Sequence, residues 1–311
     1  PRNSRKIVMK KSLQFLSVVL LLILVPVLAD EASREEHGKK VEDAMKKGLP
    51  NTAIEHLDPI ITSALADKDY PEAIKAIGQK IALEGNIQGN KPEERVARIK
   101  AAIAEAPPEM VPVMDTILAN WYWHYFQQNR WRFMQRTQTS AAPSDDFETW
   151  DLARILSEID KHFTKSLAAH EKLKQIPIGD YDKLLVKGTT PDSYRPTLFD
   201  FIAFNALEFY SMGEQAGAQA EDAFELSADS PIFGSAADFI TWQVDATDQD
   251  SPTFKALRLY QQLLAFHQDD DDKSAFIDAD LYRLQFGFNQ AFGEEKDARY
   301  KAALKRFVDQ W

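Results

Sequence analysis

Four acidic residues stand close together near the middle of the chain, and carboxylates in such a group could perform acid–base catalysis. They are Asp145, Asp146, Glu148 and Asp151. Glycosidases cut a sugar bond between two carboxyl groups that lie roughly 5–10 Å apart, so a secreted helical toroid glycosidase is one alternative. Asp146 or Thr149 is explained equally well as the N-cap of a helix that begins near Trp150, because both side chains accept hydrogen bonds from free backbone N–H groups.

No other residue set has the spacing of a metal site or of an activated nucleophile. The six histidines are His37, His56, His124, His162, His170 and His267. None of them follows the His-Glu-x-x-His pattern of zinc enzymes. The acidic run Asp269–Asp272 lacks the glycine and the final glutamate of an EF-hand loop, so a solvated loop is predicted there. The sequence has no Gly-rich phosphate loop, no Gly-x-Ser-x-Gly elbow and no cysteine, and we expect no catalytic residue, metal or cofactor.

A dense aromatic run occupies residues 121–133 and contains three of the six tryptophans. On a helix, spacings of three and four place five apolar residues on one face, namely Ile117, Leu118, Trp121, Tyr122 and Tyr125. Trp123 and Phe126 widen this stripe to nearly the full circumference. A helix that is apolar all round is typical of a buried core element. We therefore expect a structural core here, and the alternative is a ligand groove for a peptide or a carbohydrate.

Three arginines follow or interrupt the aromatic run: Arg130, Arg132 and Arg136. Guanidinium groups stack on aromatic rings and form paired hydrogen bonds with carboxylates. These arginines are therefore the candidate binding face of the protein.

Hydrophobic periodicity close to 3.6 residues recurs along the chain and predicts an all-α protein. The predicted helices cover residues 35–47, 51–65, 72–83, 93–105, 111–128, 150–167, 197–210, 252–267, 274–292 and 294–311. Asn51 is the expected N-cap of the second helix, and Ala53, Ala73 and Ala101 stand where close helix packing needs small residues. Short turns join the helices but no strict 34-residue period is present. The predicted fold is an irregular α-solenoid of antiparallel helical hairpins, similar to tetratricopeptide repeats.

The first 29 residues differ in composition from the rest. Lys10 and Lys11 precede an apolar run over residues 13–28, and Ala29 places a small residue where signal peptidase cleaves. The run is short for the roughly 20 residues that a membrane span needs. We predict a signal peptide and an exported protein, periplasmic or secreted, with no membrane association after cleavage.

The charge and the cysteine content narrow the possible partners. A net charge of −11 argues against nucleic-acid binding, because phosphate contacts require clustered Lys and Arg. Without cysteine, the chain can form no disulfide and carry no lipid-modified cysteine. An exported chain of this kind must be stabilised by core packing alone.

Several segments within residues 40–210 resemble, in order and spacing, the N-terminal region of large bacterial alpha-2-macroglobulin-like proteins. The segments are Asn120–Phe133, Asp145–Leu152, Leu173–Pro177 with Asp180–Asp182, Tyr194–Phe201 and Ala206–Tyr210. The resemblance implies a helical module that precedes a string of macroglobulin-type β-sandwich domains. It also implies an exported protein that traps proteases as a defence of the cell envelope.

The chain departs from that family in two respects. It contains none of the β-sandwich domains, and it lacks the Cys-Gly-Glu-Gln thioester with which many members capture a protease covalently. The run Met212-Gly213-Glu214-Gln215 imitates that motif, but methionine has no thiol with which to form the bond. Family members anchored through a lipid-modified cysteine also differ from this chain.

These observations give four expected segments and one expected function. The segments are a signal peptide at 1–29, helical hairpins with the aromatic helix at 30–136, a central helical region at 137–250 and a truncated C-terminal hairpin at 251–311. The expected function is a non-catalytic module of a protease-trapping protein, an endopeptidase inhibitor. Its partners would be proteases, bound by the full-length protein, and other envelope proteins. The alternatives are an exported helical-repeat module that binds peptides or glycans, and the helical toroid glycosidase.

Overall fold

The computed structural model describes residues 31–89, 91–135, 146–212, 224–246 and 248–311. Over these ranges the chain forms helices and turns with two isolated backbone bridges and no strand, which confirms the all-α prediction. The predicted signal peptide, Arg136 and Asp145 lie outside the described residues. Within those ranges, no helix has both the length and the apolar content needed to cross a membrane.

Thirteen helices are described and are numbered in chain order. They are α1 (31–46), α2 (Pro50–Ala66), α3 (Tyr70–Ile87), α4 (Pro92–Glu105), α5 (Val111–Gln128), α6 (Arg130–Met134), α7 (Leu152–Leu167), α8 (His170–Leu173), α9 (Leu198–Tyr210), α10 (Ala236–Thr241), α11 (Pro252–His267), α12 (Ser274–Gln290) and α13 (Lys296–Gln310). The chain divides into two compact units between Glu105 and Ala106. The predicted segment 30–136 extends past this boundary and includes α5, which packs against α7 and α9 of the second unit.

The first unit is built around the hairpin of α2 and α3. Asp69 ends the turn between them, and its side chain accepts a hydrogen bond from the backbone N–H of Glu72, as an N-cap does. Ala53 and Ala73 are fully buried, as predicted for close helix packing, whereas Ala101 is exposed and that prediction was wrong. Ala101 lies in α4, of which only Val96 is buried.

The start of α2 differs from the prediction, and the first unit also contains a group of ion pairs that was not predicted. Helix α2 begins at Pro50 with Leu49 at the N-cap position, so Asn51 is not the cap. Proline suits the first helical position because its φ angle is already helical and it has no N–H group to satisfy. Arg34 of α1 is buried and forms ion pairs with Asp67 and with Glu72 (3.0 Å). These pairs connect α1 to the end of α2 and to the first turn of α3.

In the second unit, α5 and α7 run antiparallel. Thr116, near the start of α5, donates a hydrogen bond to Ser166 near the end of α7, at 3.0 Å between the oxygens. Tyr122, late in α5, places its ring 5.8 Å from that of Trp150, just before α7 begins. The start of one helix therefore lies beside the end of the other.

Helices α9, α11, α12 and α13 continue the antiparallel arrangement. Asp200 in the first turn of α9 contacts His267 at the end of α11. The ring of Phe276 near the start of α12 lies 6.1 Å from that of Trp311 after α13, and the ring of Phe288 near its end lies 4.5 Å from that of Tyr300. The second unit is thus a succession of antiparallel helices, consistent with the predicted helical hairpins, while a tetratricopeptide-type repeat remains a prediction.

Candidate functional site

The aromatic run forms a cluster centred on Phe147. This residue is fully buried in the short 3₁₀ turn Phe147–Thr149. Its ring lies 4.9 Å from that of Tyr125 and 5.5 Å from those of Trp121 and Tyr122, in edge-to-face contact with all three. Edge-to-face contacts are a favourable geometry for aromatic pairs. The cluster therefore has the packing of a core, in agreement with the expected structural role.

Helix α5 is not buried on all sides. Leu118, Tyr122 and Phe126 are buried, as the pattern predicts. Ile117, however, is 36% exposed, and His124 is also exposed, so one side of the helix faces solvent. The prediction of an apolar stripe around nearly the full circumference was therefore too broad.

The candidate arginines lie at the edge of this cluster. Arg130 is exposed at the start of α6, and Arg132 directs Nη1 towards the hydroxyl of Tyr125 at 3.4 Å. Between them, Trp131 is 65% exposed. Arg136 lies outside the described residues. The structure thus places two of the three arginines beside an exposed tryptophan, and their role as a binding face stays a prediction.

Three members of the acidic cluster have structural partners. Asp146 caps the 3₁₀ turn, and Asp151 caps α7 by accepting from the N–H of Arg154. Glu148 accepts a hydrogen bond from the hydroxyl of Tyr125 at 2.6 Å. Burial and the nearby Glu148 carboxylate together raise the pKa of Tyr125 to about 12. The prediction that Asp146 or Thr149 caps the helix after Trp150 was wrong, because the chain first makes the separate turn that buries Phe147.

Two buried histidines each lie between two carboxylates, a feature that no spacing in the sequence indicates. Nδ1 of His162 lies 2.6 Å from Asp115 and Nε2 lies 3.4 Å from Glu158. Burial lowers the pKa of His162, but the two carboxylates outweigh it and the net pKa is raised. The ion pair joins α7 to α5, and it was not visible in the sequence because Asp115 and His162 are 47 residues apart.

His267 repeats this arrangement between α11 and α9. Nε2 lies 2.8 Å from Asp200 and Nδ1 lies 2.6 Å from Asp270. Burial again opposes protonation, and the two carboxylates raise the pKa overall. Asp270 belongs to the acidic run Asp269–Asp272, which was predicted to be a solvated loop. One residue of this loop therefore also pairs with a buried histidine. No cluster of His, Asp and Glu side chains in the described ranges has the geometry to hold a metal ion.

A cavity of about 430 Å³ opens between α9, α11 and α12. Its lining residues include Arg195, Phe204, Glu208, Tyr260, Tyr282 and Phe286. Phe204, Tyr260 and Phe286 are buried, whereas Tyr282 is 40% exposed at the mouth. Ligand pockets of proteins have volumes of about 300–1,000 Å³ and combine apolar walls with a few polar groups, and this cavity has both properties.

The local structure around Arg195 fixes its position at the cavity. Arg195 follows the 3₁₀ turn Asp192–Tyr194. The next residues pair with an earlier segment, since the N–H of Ile178 donates to the carbonyl of Pro196 at 2.8 Å. Thr197 and Asp200 then form a reciprocal capping box that starts α9. Residues Tyr194–Phe201 carry part of the family resemblance, but no pattern within them indicates a ligand site.

The first prediction distinguishes a core from a binding surface within the aromatic run. Phe147→Ala removes the central ring of the cluster and should lower the free energy of unfolding by about 3–5 kcal/mol. Trp131→Ala removes a larger ring from an exposed position and should change it by less than about 0.5 kcal/mol. Urea denaturation of the two variants measures both values, and equal effects would contradict the assignment of Phe147 to the core.

The second prediction concerns the pH dependence of stability. A histidine whose pKa is raised by folding stabilises the protein fully below its unfolded pKa of about 6.5. That contribution is lost as the pH rises through the higher folded pKa. The stability difference between the wild type and His162→Gln should therefore be largest near pH 6 and should shrink towards pH 9.

Denaturation curves recorded across that pH range measure this difference. The control is His124→Gln, because His124 is exposed on α5. A difference for His162→Gln that stays constant or grows as the pH rises would show that the histidine is not held protonated by Asp115 and Glu158.

No protein-family model, no curated protein and no solved structure matches the chain. A functional assignment therefore depends on the chain's own residues and on their geometry.

Proposed function

We propose that the chain is a non-catalytic helical module of an exported alpha-2-macroglobulin-like protein that traps proteases. In such a protein the module would provide a scaffold or a docking surface for partners, while the other domains would enclose the protease. The proposal rests on the family resemblance of residues 40–210.

Contacts between the resembling segments support the proposal in addition to the motifs themselves. The segments that bear the resemblance pack together in the second unit. Trp123 of the first segment contacts Phe209 of the last, with ring centroids 5.3 Å apart, and Phe147 of the second segment packs on Tyr125 of the first. Segments that are separate in the sequence but form one core are expected to be retained together, because a well-packed interior tolerates few changes in volume.

The acidic cluster favours a scaffold over the glycosidase alternative. Asp146 and Asp151 cap local elements, and Glu148 accepts a hydrogen bond from Tyr125. A glycosidase needs one carboxyl group held protonated as a general acid and a second held ionised. The three described carboxylates instead accept hydrogen bonds from groups of the chain itself, which is typical of structural side chains.

The test begins with the reading frame beyond the codon for Trp311. We expect it to continue into β-sandwich repeats. The complete protein, mixed with a protease, should then block the digestion of casein while hydrolysis of a small chromogenic peptide continues, because a small substrate still reaches an enclosed protease.

The chain of residues 1–311 alone is the matched control and should protect neither substrate. A stop codon immediately after Trp311 would contradict the proposal. Equal inhibition of casein and peptide hydrolysis would also contradict it, because blocking the protease's active site differs from enclosing the protease.

A second candidate, a helical-repeat module that binds peptides or glycans, is favoured by the 65% exposure of Trp131. Exposed aromatic rings supply stacking surfaces to such ligands. On an array of peptides and glycans, Trp131→Ala should then lose the signal that the wild type gives. A signal that is absent from the wild type, or that the variant retains, would exclude this candidate.

A further inference from the structure

The cavity between α9, α11 and α12 is lined by an arginine that packs on two aromatic rings. The guanidinium of Arg195 lies 4.0 Å from the centroid of the Phe204 ring and 5.8 Å from that of Tyr282. Its Nε is buried and has no hydrogen-bond partner among the described residues. Arginine offers five N–H donors in a planar fork that matches a carboxylate. Both rings lie within the roughly 6 Å of a cation–π contact, and they hold the guanidinium at the cavity wall.

The nearest acidic side chain compensates this charge only in part. Oδ2 of Asp278 lies 3.9 Å from Nε of Arg195, which is too far for a hydrogen bond. Burial raises the pKa of Asp278, and the positive charge of Arg195 opposes that rise. The pair is therefore a loose ion pair without a hydrogen bond, and a carboxylate entering the cavity would meet the positive charge of Arg195.

The same cavity also presents a negative charge. Glu208 is exposed and lines the cavity, and the side chains of Gln285 and Asn289 on α12 add amide groups. A ligand with an anionic group alone would leave Glu208 unpaired, whereas a ligand that carries both charges complements both sides. Charge complementarity of this kind contributes more to specificity than to affinity.

The remaining walls are apolar and buried. Leu207, Tyr260 and Phe286 are each at most 3% exposed, and the rings of Tyr260 and Phe286 pack against each other at 5.4 Å. An apolar side chain placed against them would be removed from water, which stabilises binding in proportion to the area covered. The cavity volume of about 430 Å³ is near the lower end of the range for ligand pockets, so the ligand must be small.

We propose that this cavity binds a small zwitterion with an apolar side chain, either a free apolar amino acid or a short peptide. Its carboxylate would bind Arg195, its ammonium group would face Glu208, and its side chain would pack on Tyr260 and Phe286. This site is independent of the proposed protease trap and would be present in the chain whether or not that proposal holds.

The experiment measures the affinity of the full chain for four ligands by calorimetry. Phenylalanine carries both charges, N-acetylphenylalanine lacks the ammonium group, phenylalaninamide lacks the carboxylate, and glycylphenylalanine is the short peptide. Phenylalaninamide should bind about tenfold or more weakly than phenylalanine, because it loses the charge-assisted hydrogen bonds to arginine. N-acetylphenylalanine should bind about two- to fivefold more weakly, because Glu208 is exposed and its ion pair is screened.

Two variants assign each ligand group to its protein partner. In Arg195→Gln the preference for phenylalanine over phenylalaninamide should disappear, and in Glu208→Gln the preference over N-acetylphenylalanine should disappear. The matched control is Arg299→Gln, which removes an arginine from α13, away from the cavity lining, and should leave all affinities unchanged. Because Arg195 packs on Phe204, a folding defect in Arg195→Gln would also abolish binding, so Gln285→Trp provides a second test. This variant changes an exposed lining residue and should block all ligands.

Tighter binding of phenylalanine or of glycylphenylalanine distinguishes a free amino acid from a peptide, and either result supports the site. No saturable binding of any ligand would overturn the proposal. Equal binding of phenylalanine, phenylalaninamide and N-acetylphenylalanine would also overturn it, as would equal losses in Arg195→Gln and Arg299→Gln.

Discussion

The burial of helix α5 is the constraint on which the second unit depends. Tyr122, Trp123 and Phe126 project from this helix in different directions and are all removed from water. A single neighbouring helix covers only one face, so several elements must pack against these three side chains. Helix α7 packs on one side, α9 packs against Trp123 through Phe209, and the turn that contains Phe147 covers Trp121 and Tyr125. The aromatic side chains of α5 therefore determine which elements pack against it in this unit.

Buried charges provide a second constraint, because a charge removed from water must be paired. Each buried charge among the described residues of this unit has a partner on the same helix or on a neighbouring element. Asp115 pairs with His162 and thereby fixes α5 on α7, and Asp200 pairs with His267 and fixes α9 on α11. Arg283, one of the most completely buried side chains, pairs with Asp280 and donates to the carbonyl of Ile232 at 2.9 Å. Apolar packing tolerates small shifts between helices, whereas these pairs favour one alignment of each helix with its neighbour.

The sequence was sufficient for the fold class and for most helix positions, because the period of apolar residues is a local property that survives in the structure. It was insufficient at the start of α2 and before α7, where Pro50 and the turn around Phe147 changed which residue is the cap. It also placed Ile117 on a buried face although that side of α5 is exposed. Periodicity reports which residues share a face of a helix, but it does not report whether another element covers that face.

The candidate site was less predictable than the fold, for a related reason. Arg195, Glu208, Tyr260 and Tyr282 come from three helices and a turn, and no local pattern connects them. Once α9, α11 and α12 are aligned, however, the cavity walls are held at both ends. The pair of Asp200 and His267 fastens the start of α9 to α11, and Gln290 of α12 donates to the carbonyl of Ser211 at 2.9 Å, just after α9 ends.

Walls that are fixed before a ligand arrives need not lose conformational entropy when it binds. The same applies to Arg195, since the turn before it, the pairing of Pro196 with Ile178 and the stacking on Phe204 limit the positions of its guanidinium. The contacts that align these helices therefore also pre-organise the cavity. A site of this kind binds through geometry that the fold already supplies, so its affinity for small ligands should depend on charge and side-chain fit rather than on induced closure.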